Sequence, residues 1–204
     1  EAGQDMNATL AMVKSFRKKD DDTPIVLMGY YNPIYIYGVE RFSKDAADAG
    51  VDGLIIVDVP PEEDAELLVP ANKAGIDLIR LTTPTSDEQR LPALMGDTSG
   101  FIYYVSIAGI TGTKSAATSN VADAVTRIRK FSDLPIAVGF GIKTPEQAAE
   151  VARVADAAVV GSAIVQVIAE NLEGDGGTKD PPDLQESVLT FVSELAQGVR
   201  TARS

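Results

Sequence analysis

The sequence of 204 residues contains no histidine and no cysteine. Without histidine, Ser-His-Asp triads, imidazole general bases and His-ligated zinc are excluded, so proton transfer falls to carboxylates, tyrosine or lysine. Without cysteine there are no disulfides and no thiolate chemistry, which fits a reducing, cytoplasmic setting. Basic residues are also few: 18 Lys and Arg stand against 30 Asp and Glu, a formal charge of -12. That charge repels nucleic-acid backbones and anionic membranes at long range, so neither is expected as a partner. No apolar window approaches the ~20 residues of a membrane span. The opening Glu1-Ala2-Gly3-Gln4-Asp5 lacks the basic-then-apolar order of a signal peptide.

What is present is core-forming material: 45% of the residues are hydrophobic, with no low-complexity block. Six short apolar runs, at 24–31, 53–59, 76–82, 100–106, 135–141 and 156–161, are bounded by turn residues and rich in β-branched and aromatic side chains. Helical patterns lie between them at 39–49, 61–73, 87–95, 120–131 and 144–153, with another at 7–18 before the first run and one at 163–169 after the last. A polar linker, 173–183, precedes a closing helix at about 184–199. Alternating β and α predicts a parallel sheet and one α/β domain over 1–204. A full (β/α)8 barrel takes about 250 residues, so this length holds roughly six and a half βα units. The chain opens on a helix, which suggests a barrel entered after its first two units; an open six-stranded sheet is the alternative.

Three glycine-containing loops follow the last three runs: Gly109 to Gly112, Gly139-Phe140-Gly141-Ile142, and Gly161-Ser162. Barrels hold phosphate with backbone N–H groups of late loops and the N-terminus of a short helix, where glycine lets the backbone approach an anion. Any one of these loops alone reads as a tight turn, and Ser162 alone as a helix cap. Their succession at consecutive strand ends points to a phosphate site. Asp58 ends the second run, where barrel enzymes place catalytic groups, and is the best-placed carboxylate; an anchor for the turn Val59-Pro60-Pro61 is its plainer role. Tyr30, Tyr31, Tyr35 and Tyr37 cluster after the first run, and Tyr103 and Tyr104 adjoin on the fourth. Core packing suits Tyr37 and Tyr104, whereas Tyr30 and Tyr103 stand near strand ends where an aromatic ligand could lie.

The strings LMGYYNPIYIYG, VDVPPEE, IRLTTPTSDEQRL, GFIYYVSIAGITGT, VGFGIKTPEQA and VVGSAIV resemble, in order and spacing, the tryptophan synthase α subunit. That resemblance covers residues 1 to about 170, and the last helix is similar too. It implies a TIM (β/α)8 barrel, of which strands 3 to 8 are present here, and a lyase of tryptophan biosynthesis. The implied reaction is the retro-aldol cleavage of indole-3-glycerol phosphate to indole and glyceraldehyde 3-phosphate, with no cofactor and no metal. A β subunit in an α2β2 assembly is the implied partner. By position, Gly112, Phe140, Gly141, Gly161 and Ser162 match phosphate and pocket residues. Tyr103 matches an active-site tyrosine near the glycerol moiety and Tyr30 another pocket tyrosine. Thr111 matches the threonine that orders the loop 107–120 over substrate, and that loop, poor in apolar anchors, reads as a mobile lid. Asn32 and the turn Asp58-Val59-Pro60 match surfaces that face the β subunit.

One departure stands out. The family's glutamate acid-base, within a Leu-Gly-x-Pro-Phe type motif, and the aspartate just after it have no counterpart in these residues. The expectation is therefore a chain that binds parts of the substrate and is inactive by itself. The competing readings are a phosphosugar isomerase or epimerase using Asp58, and a non-catalytic partner of a β subunit.

Overall fold

The computed structural model describes residues 3–106, 114–139, 141–173, 177–178 and 181–202. Its contacts group the chain into two compact units, Glu1–Leu81 with Glu88–Ile102, and Thr82–Asp87 with Tyr103–Ser204.

In the first unit, α1 (Met6–Arg17) leads to β1 (Val26–Gly29), α2 (Tyr31–Tyr37), α3 (Val39–Ala49) and β2 (Gly53–Ile56). A 3-10 turn (Pro61–Glu63), α4 (Ala65–Lys73), β3 (Asp77–Leu78) and α5 (Leu91–Met95) follow. β1 and β2 pair in parallel, Val26 with Gly53 through Gly29 with Ile56, and β2 pairs β3 in parallel from Gly53 with Asp77. α3 keeps the limits its pattern predicts because glycines bound it: Gly38 precedes it and Gly50 follows at φ 94°, a left-handed C-cap. Its apolar face, Val39, Phe42, Ala46 and Ala49, packs into a core with Leu10, Val13, Leu54, Leu67 and Leu78. α2 was not expected; its tyrosines cluster between the first apolar run and the helical pattern at 39–49 without a helical pattern of their own. The run 76–82 is also not one strand but two, β3 and β4 (Arg80–Thr82), interrupted at Ile79.

In the second unit stand α6 (Lys114–Ile128), β6 (Ile136–Gly139), α7 (Pro145–Ala152), β7 (Ala157–Val159), α8 (Ser162–Glu170) and α9 (Pro181–Thr201). A short antiparallel pair, β8 (Leu172–Glu173) and β9 (Gly177–Thr178), falls where the linker is expected. A four-stranded sheet runs in the order β4, β5 (Ile102–Val105), β6, β7. β6 and β7 pair in parallel, Ala137 with Ala157 to Gly139 with Val159. α6 begins six residues earlier than its apolar periodicity suggests, since Lys114-Ser115-Ala116-Ala117 contains no residue that stops a helix. Thr144 caps α7 by accepting the Gln147 N–H, with Pro145 at the first helical position. α9 packs on α7 so closely that a Cβ on Gly198 would lie 2.3 Å from the Pro145 carbonyl oxygen.

The same fastening recurs in each unit at the N-terminal end of a strand. Ile25, before β1, donates its N–H to Asp52 Oδ2 at 2.6 Å, and Arg17 pairs with the same carboxylate. Ile136, opening β6, donates to Asp156 Oδ2 at 2.9 Å, and Arg129 pairs with it in turn. In both places an aspartate just ahead of one strand ties down the start of its parallel neighbour. This end of each sheet is thereby assigned to stability, leaving the C-terminal strand ends for chemistry.

Candidate functional site

The site residues expected from the sequence fall into two groups, one per unit. In the second unit the register of β6 and β7 places Gly139 beside Val159, so Gly141 and Gly161 each lie two residues beyond matched positions. The Ser106 N–H donates to the Gly139 carbonyl at 3.0 Å, bringing the end of β5 alongside β6. Gly141 has φ 63°, which a side chain would strain, and no atom of the described residues stands within 4 Å of where a Cβ on Gly141 or Gly161 would project. The backbone at both glycines is therefore open to an approaching group. Gly161 is the N-cap of α8 and Ser162 its first residue; both are exposed, and no side chain among the described residues caps this helix end. The partial positive charge of a helix N-terminus thus faces outward beside two accessible glycines.

Tyr103, on β5, is half-buried, and its ring lies against Gly139, within 2.9 Å of the place a Cβ would take. Burial raises its phenol pKa above the usual value, so it stays a neutral hydrogen-bonding group. The next residue, Tyr104, points the other way and is 3% exposed, in the core as its alternation predicts. Thr111, Gly112 and Phe140 lie outside the described residues, as does 107–113 of the expected lid.

In the first unit Asp58 follows β2 and accepts the backbone N–H of Tyr31 at 2.8 Å through Oδ1. It caps the start of α2, whose own N-cap, Tyr30, supplies no side-chain bond. Asp58, Tyr31, Asn32, Tyr35, Val59 and Pro60 line a groove of about 420 Å³. Tyr31 donates its hydroxyl to Glu66 Oε2 at 2.6 Å, and burial together with this carboxylate pushes its pKa up to about 12. Tyr30 is 65% exposed and borders a separate apolar groove of about 320 Å³ with Met28, Pro33 and Ile34. Tyr37 takes a packing role, edge-on to Phe42 and bonded to Asp45.

Two ion pairs behind the turn after β2 were not anticipated. Arg80 and Asp64 form a salt bridge with side chains only 8% and 4% exposed. Arg90 grips both oxygens of Glu62, with Nη2 to Oε2 at 2.9 Å, and holds that carboxyl down at about pKa 2. The signal was available: Arg80 is a charge inside the apolar run Asp77-Leu78-Ile79-Arg80-Leu81, a place a strand accepts only with a partner.

A family model for the tryptophan synthase alpha chain matches residues 1–197. The chain belongs to the tryptophan synthase alpha chain family. It is 38% identical to the tryptophan synthase alpha chain of Legionella pneumophila subsp. pneumophila, with a TM-score of 0.82 over 97% of this chain and 70% of that one. It is similar at 33% identity to a chain of tryptophan synthase from M. tuberculosis, with a TM-score of 0.79 over 97% of this chain and 70% of the other. A chain of the Pyrococcus furiosus α2β2 tryptophan synthase, a complex of mutually activating subunits, is 32% identical at a TM-score of 0.78, over 96% and 74%. Membership carries the parallel α/β architecture of the TIM-barrel class and makes this a lyase family of tryptophan biosynthesis. Among the described residues no helix is long and apolar enough to cross a membrane.

Proposed function

We propose that this chain is a cytoplasmic tryptophan synthase α subunit, whose reaction is the cleavage of indole-3-glycerol phosphate to indole and glyceraldehyde 3-phosphate beside a β subunit, and that residues 1–204 by themselves bind parts of that substrate without turning it over. The observation that carries the substrate reading is the open end of α8. Gly161 and Ser162 present a helix N-terminus with no capping side chain, and Gly141 leaves accessible backbone beyond the neighbouring strand. A phosphate dianion suits that arrangement through backbone N–H groups and the helix dipole. Gly112 and Phe140 would complete the phosphate pocket, and Thr111 would fasten the loop before α6 over the substrate. Tyr103, neutral and half-buried beside β6, would contact the glycerol chain, and Tyr30 would line the pocket for the aromatic part. Retro-aldol cleavage needs proton transfers at indole C3, at the indole nitrogen and at a glycerol hydroxyl, all within the reach of carboxylate chemistry without a metal.

The turn Asp58-Val59-Pro60 and Asn32 would face the β subunit, around the groove they share. Asp58 supports that surface by capping α2. The test is calorimetric binding of glycerol phosphate and of a β subunit, beside release of indole from indole-3-glycerol phosphate. Binding of both with no indole released by these residues is the expected result; isomerised phosphosugar, or no binding of glycerol phosphate, overturns it.

A further inference from the structure

We infer that Arg80 and Arg90 are positioning residues that set the turn Asp58–Asp64 in the shape that receives the β subunit. The inference rests on the partner reading above, and it begins with how the turn is held. Its first residue, Asp58, is tied to the Tyr31 N–H, and its last, Asp64, pairs with Arg80 of β4 in a nearly solvent-free setting. Between them, Glu62 is held through both oxygens by Arg90, which immediately precedes α5. The two arginines therefore reach one acidic turn from either end of the segment that follows β3.

The turn borders a groove of about 300 Å³, lined by Ile56 to Pro61 together with Arg80, Leu81, Arg90 and Leu94. A segment at the edge of a groove has fewer dispersion contacts on that side, which leaves more of its positioning to the ion pairs beside the groove. Arg90 presents a planar fork to both oxygens of Glu62, which fixes direction as well as distance, while Arg80 meets Asp64 Oδ2 through Nη2. The Arg80 and Asp64 pair is too costly to bury to be explained by stability alone, because apolar residues of similar volume hold such a place at least as well. Pro60 and Pro61 make the turn stiff, so a change at Glu62 or Asp64 carries through to Val59 and Pro60 rather than being absorbed between them.

The test measures β-subunit affinity, glycerol phosphate affinity and the unfolding midpoint for each protein. Arg90→Gln removes the exposed pair without stranding a buried charge, and it should weaken β-subunit binding by about tenfold while the other two readings stay put. The charge swap Glu62→Arg with Arg90→Glu restores the pair in reverse and should recover most of the affinity, which a direct contact of either charge with the partner would not allow. Asp64→Leu with Arg80→Leu replaces the buried pair by apolar bulk; a folded protein with weakened partner binding is the expected result. β-subunit affinity unchanged in Arg90→Gln, or unrecovered in the charge swap, overturns the inference and leaves the partner reading intact. Failure of the unaltered protein to bind any β subunit overturns that reading and this inference with it.

Discussion

The ring of Tyr103 rests on Gly139: a Cβ built at Gly139 would lie 2.7 Å from the Tyr103 hydroxyl oxygen and 2.9 Å from Cε2. The two sit on neighbouring strands whose ends are joined by the Ser106 N–H to the Gly139 carbonyl. Because the obstructing atoms are the far end of a side chain, Gly139→Ala should be accommodated by a turn of the phenol. The fold should survive with an unfolding midpoint within a few degrees. The phenol, however, would leave its place by about 1 Å, and losing its contact with the glycerol chain should weaken glycerol phosphate binding by about tenfold. Calorimetric titration with glycerol phosphate beside thermal unfolding checks this, and unchanged affinity in a stable variant would remove Tyr103 from the site.

Ser162→Asp should move stability and binding in opposite directions. A carboxylate in the first turn of α8 stabilises that helix by about 0.3–1 kcal/mol through the dipole. The same charge would occupy the place proposed for phosphate and repel it. Urea unfolding and calorimetric titration with glycerol phosphate report the two effects separately. Equal glycerol phosphate affinity in both proteins would remove the anion site from α8.

Gly198→Ala tests the docking of α9 by the sign of its effect. In an exposed helix interior this change stabilises by about 0.5–1 kcal/mol, since glycine has more backbone freedom to lose. At Gly198 the new methyl would meet the Pro145 carbonyl oxygen at 2.3 Å, and backbone cannot step aside as a side chain can. The expected outcome is a net loss of about 1–3 kcal/mol in denaturant unfolding. A gain in stability would mean that α9 does not rest on α7 at this point.

Features with local causes were legible in the sequence. The limits of α3 follow from Gly38 and Gly50, and the open strand ends at Gly141 and Gly161 follow from the succession of glycine loops after the late apolar runs. Features whose cause lies far along the chain were not. α2 went unexpected because the group that caps it, Asp58, stands 27 residues away. The contact of Tyr103 with Gly139 needs the pairing of β5 and β6 before it exists. Arg80 announced itself as a misplaced charge, yet its partner Asp64 reads locally as an ordinary acid ahead of α4.

Tyr31 should give the protein an alkaline stability edge. Its pKa is pushed up to about 12, first by burial and then by the carboxylate of Glu66 that its hydroxyl serves. A raised pKa means the folded state holds the proton more tightly, so the contribution is complete below about pH 10 and disappears as pH climbs through about 12. Tyr31→Phe should therefore narrow the difference in stability between pH 9 and pH 12. Ultraviolet titration of the phenolates, which the absence of tryptophan leaves unobstructed, should show one tyrosine fewer ionising late in that variant. An unchanged late phase would assign it to another tyrosine.

Asp58 stands where a barrel enzyme could use a base, yet its Oδ1 is committed to the Tyr31 N–H at the start of α2. The two roles respond differently to a pair of substitutions. Asn keeps a carbonyl oxygen in place to accept that N–H but cannot take up a proton at neutral pH, whereas Ala removes both functions. If Asp58 caps α2 and shapes the groove with Asn32 and Pro60, Asp58→Asn should retain folding and most β-subunit affinity. Asp58→Ala should then lose about 0.5–2 kcal/mol of stability, the usual effect of deleting a cap. If Asp58 is instead a general base, both variants should lose about 10²- to 10⁴-fold in kcat with β-subunit binding preserved in the Asn form. The capping role predicts that Asn rescues what Ala destroys, and turnover by the unaltered protein that both Asp58→Asn and Asp58→Ala abolish would return this carboxylate to the chemistry.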